Sequence, residues 1–582
     1  MKDFILIILL VMLSFIEIHA QDKCLYSIAN EHFSKDAQDS YIQISKQPDI
    51  ISINKININI STLLEIPESI EILLENERIL LYLKMVKILQ NDNYRYISYS
   101  NDETFIFISM LDETIIADIL SPLGTYNIVT CSDKEYALVK VDDSFTEMEP
   151  EELKYNNVSD DTPDIHTDAY NTTEVLSSVR DAIPYIRILV LYTDEAAQLI
   201  SNPISPAQIK VKIYHDINKA NESFKNSDIH TAFELVYIGR TSADETGLSF
   251  SQILDKFIAT SDQYIDEVHT LRNQYSADIC VLLVEDPNYC GMSYVNVTAS
   301  QAFSVVRASV GCSDKFSFAH EIGHLVGCNH DVTEHPGNTP YQYGHGYVHY
   351  VPGNSSSSWR TMMAYSDACN NNYYNCIRIP NWSNPNISIN GIATGDATYA
   401  NNARVWNERA QTVSNFKTIP SNKTLTSSDN NMALYNNIRV SQSITTQNGY
   451  QVQNGQSVEL IGGTQIRLLP NTHIMNGSNF HACVSSVADT TAYPHFIKNK
   501  GAVVTNVLHT TNFSVTPNPV NDMLSITTTE ELAGISIYNL SSQCMMQTAE
   551  TKINVSRLPA GMYILRATTT DGEQLQSKFI KQ

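Results

Sequence analysis

Basic residues are scarce in this chain: 38 Lys and Arg stand against 63 Asp and Glu, a formal charge of −25 over 582 residues. Nucleic-acid binding is therefore excluded as the main function, because neutralising phosphates demands a surplus of cations. Charge of either sign is sparse, at 17% against about 25% in an average soluble domain, and the polar remainder is rich in Asn, Ser and Thr. That composition suits a secreted, partly β-rich protein. Long apolar runs are missing after the N-terminus, so no transmembrane segment is expected in the mature protein. No lipid-attachment pattern surrounds Cys24. The length excludes a single small module, since domains run to roughly 100–200 residues.

The N-terminus begins with Lys2, continues through the apolar stretch Phe4 to Ile16 and reaches the small residue Ala20. It reads as a signal peptide over 1–20, too short for a bilayer crossing. Ten cysteines in an exported chain favour disulfides. Cys24 and Cys131 lie early, six cluster between Cys280 and Cys376, and Cys483 and Cys544 lie late. Spacing does not fix connectivity; Cys290/Cys312 and Cys369/Cys376 are the preferred short loops.

Residues 21–180 alternate Ile/Leu-rich with acidic segments and end in a polar run, Asp160 to Thr173, that reads as a linker. From Arg187 the run RILVLYT is a buried strand, Ser205 to Asn226 has helical periodicity, and HTAFELVYI from His230 is a strand. Phe250 to Gln274 is again helical, and ADICVLLVED from Ala277 is a strand. This alternation predicts a mixed α/β domain with a mostly parallel sheet. After Ile419 come short polar β segments; Asn454-Gly455 and Asn476-Gly477 lie one 22-residue period apart, pointing to two rungs of a β-solenoid-like unit. Phe513 to Gln582 has the strand pattern of a small β-sandwich. The expected fold class is multidomain: an α+β segment over 21–180, an α/β domain over 181–418, a β-rich spacer over 419–510 and a β-sandwich over 511–582.

The chemistry lies in FAHEIGHLVGCNHD, Phe318 to Asp331. His320 and His324 are i and i+4, so on a helix they project from one face and suit two nitrogen ligands of one zinc ion. Glu321 adjoins them as a general base and acid. Gly327 permits the sharp turn that brings back His330 as a third ligand. Three imidazoles leave one tetrahedral position open, the catalytic rather than the structural arrangement.

The extended pattern H-E-x-x-H-x-x-G-x-x-H-D resembles the metzincin zinc peptidases, and the Asp after the third His resembles the adamalysin/reprolysin branch. TMMAY, Thr361 to Tyr365, resembles the Met-turn, which implies Met363 as a base beneath the ligands. The resemblance spans roughly 181–418 and includes CGMSYV, which implies Gly291, Met292, Ser293, Tyr294 and Val295 as the substrate edge strand. Adamalysins carry Pro where Tyr365 stands; in astacins and serralysins a Tyr there is a switchable zinc ligand. Tyr365 is thus either a zinc or transition-state contact or a packed wall residue. The segment after Met363 forms the S1′ wall in metzincins; Arg378 either reaches it and favours Asp or Glu after the scissile bond, or is a solvated side chain. His335, His345 and His349 either form a second metal site or are exposed loop residues.

By the same resemblance 21–180 is a latency propeptide. Cys131 is its candidate zinc-blocking thiol, with a Cys24–Cys131 disulfide as the competing reading, and Arg180-Asp181 is the candidate activation cut. SVTPNPVNDMLSI, ISIYNLSSQ and RLPAGMYILRATTTDGEQLQSKFIKQ resemble the type IX secretion sorting domain of Bacteroidota, which implies the outer-membrane secretion machinery as a partner and a secreted or surface-attached product. An ordinary binding module is the competing reading. The expected function is a secreted zinc-dependent endopeptidase, made as a zymogen, acting on protein or peptide substrates with one catalytic Zn2+. Structural Ca2+ is undetermined. The alternative is a non-catalytic adhesion or binding protein on a metzincin scaffold.

Overall fold

A computed structural model describes residues 24–89, 93–142, 154–155, 183–354, 357–365, 369 and 376–485, and 514–581 apart from 518–519, 529–531, 540–543, 560 and 570–573. The signal peptide, the linker Asp160–Thr173 and the Arg180-Asp181 bond lie outside the described residues. The chain divides into two units, 1–498 and 499–582.

In the first unit, residues 24–142 form a nine-stranded sheet whose paired strands run antiparallel. Helices Lys35–Ser45 and Ile60–Glu65 accompany it. One sheet face has its own core, with Ile70, Ile72, Leu81, Ile106 and Ile119 buried.

The central sheet is built from β1 (Lys154–Tyr155), β2 (Tyr185–Tyr192), β3 (Ala232–Arg240), β4 (Ile279–Val284), β5 (Gly291–Val295) and β6 (Phe303–Arg307), in the order β1-β5-β6-β4-β2-β3. β3, β2, β4 and β6 are parallel neighbours, while β5 runs antiparallel to β6. The sheet is mixed, as expected. The all-apolar run of β4 is buried along its length, the pattern of a strand covered on both faces. Helix α1 (Pro206–Asn226) packs on β3, entered through the Ser205 cap and Pro206. Helix α2 (Phe250–Ile258) lies against β5 and β6. Helix α3 (Ser317–Val326) packs on β5 and β6 with all ten residues buried.

Helix α1 also carries the N-terminal sheet, whose strands Phe105–Leu111 and Thr114–Ser121 pack on it. The contact joins apolar residues such as Phe107, Leu120, Tyr214 and Ile217 in one core and has buried polar groups within it. His215 Nε2 donates to Asp118 Oδ2 (3.0 Å), and its Nδ1 faces the Ser109 hydroxyl (2.9 Å). Lys219 donates to Asp118 and to the Ser313 carbonyl, and Tyr96 and Ser98 donate to Glu222. Burial opposes the ionised form of Asp118, but the cation of Lys219 beside it holds the carboxyl far below its ordinary range. Burial pushes His215 below its ordinary range, and Lys219 is the stronger of the two partners that favour the Asp118 carboxylate.

Beyond 418, short β rungs continue the sheet. The next strands, β7 (Tyr435–Val440), β8 (Ser457–Gly462) and β9 (Asn479–Val484), are parallel, with Tyr435 opposite Ser457 and Ser457 opposite Asn479. Gly455 and Gly477 turn successive rungs at φ 80° and 79°. The expected spacer differs from the observed arrangement in one respect: β7 pairs antiparallel with β3, so the rungs extend the edge of the central sheet.

In the second unit, 514–581 forms a three-stranded and a four-stranded antiparallel sheet sharing a core of Leu524, Ile537, Leu565 and Phe579. No described helix is long and apolar enough to cross a membrane.

Candidate active site

Helix α3 places His320 and His324 one turn apart, and Gly327 ends it at φ 119°, a conformation that L side chains rarely adopt. The chain doubles back, anchored by Asn329 N donating to the Gly344 carbonyl (2.7 Å), and returns His330 to the same point. The three Nε2 atoms stand 3.0, 3.1 and 3.3 Å apart. Tetrahedral bonds of about 2.0–2.1 Å put ligand nitrogens roughly 3.3–3.4 Å apart, so the triangle has the size one zinc ion needs. Its orientation is fixed from behind: His320 Nδ1 donates to the Met362 carbonyl (3.1 Å) and His324 Nδ1 to the Cys328 carbonyl (2.8 Å). Both tautomers therefore present a bare Nε2 inward. Among the described residues this is the one cluster of three or more His, Cys, Asp or Glu able to hold a metal.

Glu321 is 1% exposed, and its Oε2 accepts from Ser293 Oγ at 2.8 Å. Met363 lies beneath the helix, where a Cβ on Gly323 would come within 3.0 Å of its sulfur and 2.8 Å of the Trp382 ring. Gly323 thus lets α3 settle on the Met363 loop. Tyr365 packs its ring on His330, with centroids 4.2 Å apart, and its N–H donates to Asp331 Oδ2 (3.0 Å). Asp331 therefore ties the third histidine's loop to the turn after Met363. Sequence reasoning used Asp331 only as a family mark and missed this clamp.

Arg378 is not solvated: it is 7% exposed and donates to the carbonyls of Lys315 and Ala364. Arg360, which nothing in the sequence singled out, lies opposite it in the parallel pair Trp359–Arg360 and Ile377–Arg378 and donates to the same Ala364 carbonyl (2.9 Å). Two guanidinium groups therefore meet one residue after Met363.

Gly291 to Val295 is the outer strand beside β6, but Lys154 and Tyr155 pair with Tyr294 and Val295, in parallel. The disulfide Cys290–Cys312 ties the start of this strand to the short helix Val310–Asp314 before α3, and Cys369–Cys376 closes the second expected loop. Cys24 and Cys131 are not joined. Cys131 is buried inside the N-terminal region, which pushes its thiol up to about 12, so it supplies no thiolate to the histidines. His345 is buried and donates to the His330 carbonyl (2.9 Å), supporting the ligand loop instead of forming a second metal cluster. His335 and His349 are partly buried and, among the described residues, likewise join no such cluster.

A model of the family described as "Metallo-peptidase family M12" matches residues 185–375, and one described as "Secretion system C-terminal sorting domain" matches 514–582. This type IX sorting tail marks the chain for secretion or cell-surface attachment. A peptidyl-Asp metalloendopeptidase of Stenotrophomonas maltophilia (strain R551-3) is 40% identical over 234 residues, 40% of this chain and 52% of that relative. One from Xanthomonas campestris pv. campestris is 36% identical over 294 residues, 50% of this chain and 65% of its own length. The chain thus spans about half to two thirds of these relatives. One from Pseudomonas fragi is 34% identical over 170 residues, 29% of this chain and 85% of the relative. Family M12 implies a catalytic zinc, and the donor set and spacing of His320, His324 and His330 fit that ion. With 85% of one curated relative matched and the family's own pattern found across the central sheet and the histidine helix, this chain belongs to metallopeptidase family M12.

Proposed function

We propose that the protein is a secreted zinc-dependent endopeptidase, made as a zymogen, that hydrolyses extended polypeptides beside acidic residues. The observation that carries this reading is the triangle of His320, His324 and His330 Nε2 atoms with the Glu321 carboxylate on the same helix. Zinc held there supplies a Lewis acid for peptide-bond hydrolysis. Glu321 takes the proton of the attacking water and delivers it to the leaving amine. The substrate backbone pairs along Gly291 to Val295 by strand addition. Tyr365, packed on His330, donates to the developing oxyanion, and Met363 is the floor beneath the ligands.

The curated relatives are named peptidyl-Asp metalloendopeptidases. The guanidinium of Arg378 suits the same preference here, with an Asp or Glu side chain after the scissile bond as its partner.

In this reading 21–180 is the propeptide, 181–418 the catalytic domain, 419–510 a β-solenoid-like extension and 511–582 the sorting domain. The strand Lys154–Tyr155 supports latency, since it occupies the edge on which a substrate would lie. A casein or gelatin assay on purified secreted protein, with and without chelator, tests the proposal. Glu321→Ala is expected to lower kcat by about 10²–10⁴ while zinc stays bound; equal activity in wild type and variant overturns it.

A further inference from the structure

The edge strand β5 has a second side to it. Residues two apart on a strand share a face, and here that face is formed by Gly291 and Ser293. It meets Glu321. Ser293 Oγ donates to Glu321 Oε2 at 2.8 Å, and a Cβ at Gly291 would stand 2.4 Å from Oε1 and 2.6 Å from the carboxyl carbon. One residue therefore grips the carboxylate, and the other makes room for it by having no side chain. Met292 between them belongs to the apolar core on the opposite face, with Phe303 and Val305. This anchors the strand from behind, and the Cys290–Cys312 bridge holds its beginning.

A glutamate side chain has several rotamers to lose, and a base works only when its carboxylate is aimed at the proton it takes. The helix backbone fixes where Glu321 starts; the strand fixes where it points. We infer that Ser293 is a positioning residue for Glu321. The strand that receives the substrate backbone along its edge thereby orients the base with its inner face, and both are set by one register. This inference rests on Glu321 being the base.

The test compares the wild type, Ser293→Ala, Ser293→Cys, Ser293→Thr, Glu321→Ala and the Ser293→Ala/Glu321→Ala double variant as purified secreted proteins, with zinc content measured for each. A hydrogen bond to a charged group is worth about 1.5–3 kcal/mol, so Ser293→Ala is expected to lower kcat by about 10-fold to 100-fold with KM and zinc content unchanged. Ser293→Thr, which keeps the hydroxyl, is expected to retain most of kcat. Ser293→Cys, similar in shape but a weak donor, falls between and serves where the alanine variant folds poorly. In the Glu321→Ala background the serine substitution has no further effect, because its role passes through the carboxylate. Unchanged kcat in Ser293→Ala, a rise confined to KM, or a loss that persists in full without Glu321 overturns the inference. An active Glu321→Ala protein would instead defeat the proteolytic reading itself.

Discussion

Two helices of the central domain bury histidines, and they do so to opposite ends. On α1, both ring nitrogens of His215 are engaged, one by Ser109 and one by Asp118. On α3, His320 and His324 spend one nitrogen each on a backbone carbonyl and keep the other directed at a shared point. Burial is nearly total in both places, so burial does not tell a packing histidine from a ligand. The direction of the second nitrogen does. His215 helps close a contact between two regions of the chain, whereas the α3 pair leaves a site open to an ion.

The sharpest way to break this contrast is to remove one member of each buried histidine cluster. His324→Ala is expected to reduce bound zinc to background and abolish hydrolysis, read by metal analysis and peptide cleavage. Asp118→Ala strands Lys219 in the interior, and losing one partner of a buried pair costs about 3–5 kcal/mol. Denaturant unfolding of the full chain should show that loss with zinc content unchanged. Were zinc lost as well, the two helices would not be independent.

Acidification sharpens the comparison further. Burial keeps His215 below its ordinary range, so the unfolded chain takes up a proton that the folded chain refuses. Its contribution to stability is complete above about pH 6.5 and shrinks as the pH falls below that value. Asp118, held low, adds a loss at more acid pH still, as the unfolded carboxyl begins to protonate near about pH 4. Thermal midpoints of the full chain should fall between pH 7 and pH 5, and His215→Asn should flatten that first decline. The smallest effect is expected from Gly323→Ala, whose new methyl meets Trp382 and Met363; overpacking of this kind costs about 1–3 kcal/mol, and the thermal midpoint should drop accordingly.

The histidine triangle was legible in the sequence because its geometry is local: a helical turn sets two rings, and a glycine a few residues on sets the third. The same holds for the Cys290–Cys312 and Cys369–Cys376 loops and for the 22-residue period, each a matter of short separations. What was missed is long-range. Nothing near Arg360 announces that Arg378 will lie opposite it, and nothing near His215 announces Asp118, 97 residues away. The periodicity of Ser205 to Asn226 predicts helix α1 but not the nine-stranded sheet that packs on it. Cys131 shows the converse error, in which a residue of suitable chemistry lies in a core where its chemistry is suppressed.

The junction of β3 with β7 bears on how a shortened chain would behave. A chain cut after residue 418 would uncover main-chain groups of Tyr237 and Ile238 that β7 otherwise satisfies. Bare strand margins of this kind recruit neighbouring molecules. Anyone producing this chain without its export tail should therefore retain the rungs through residue 485 to keep the product from clumping.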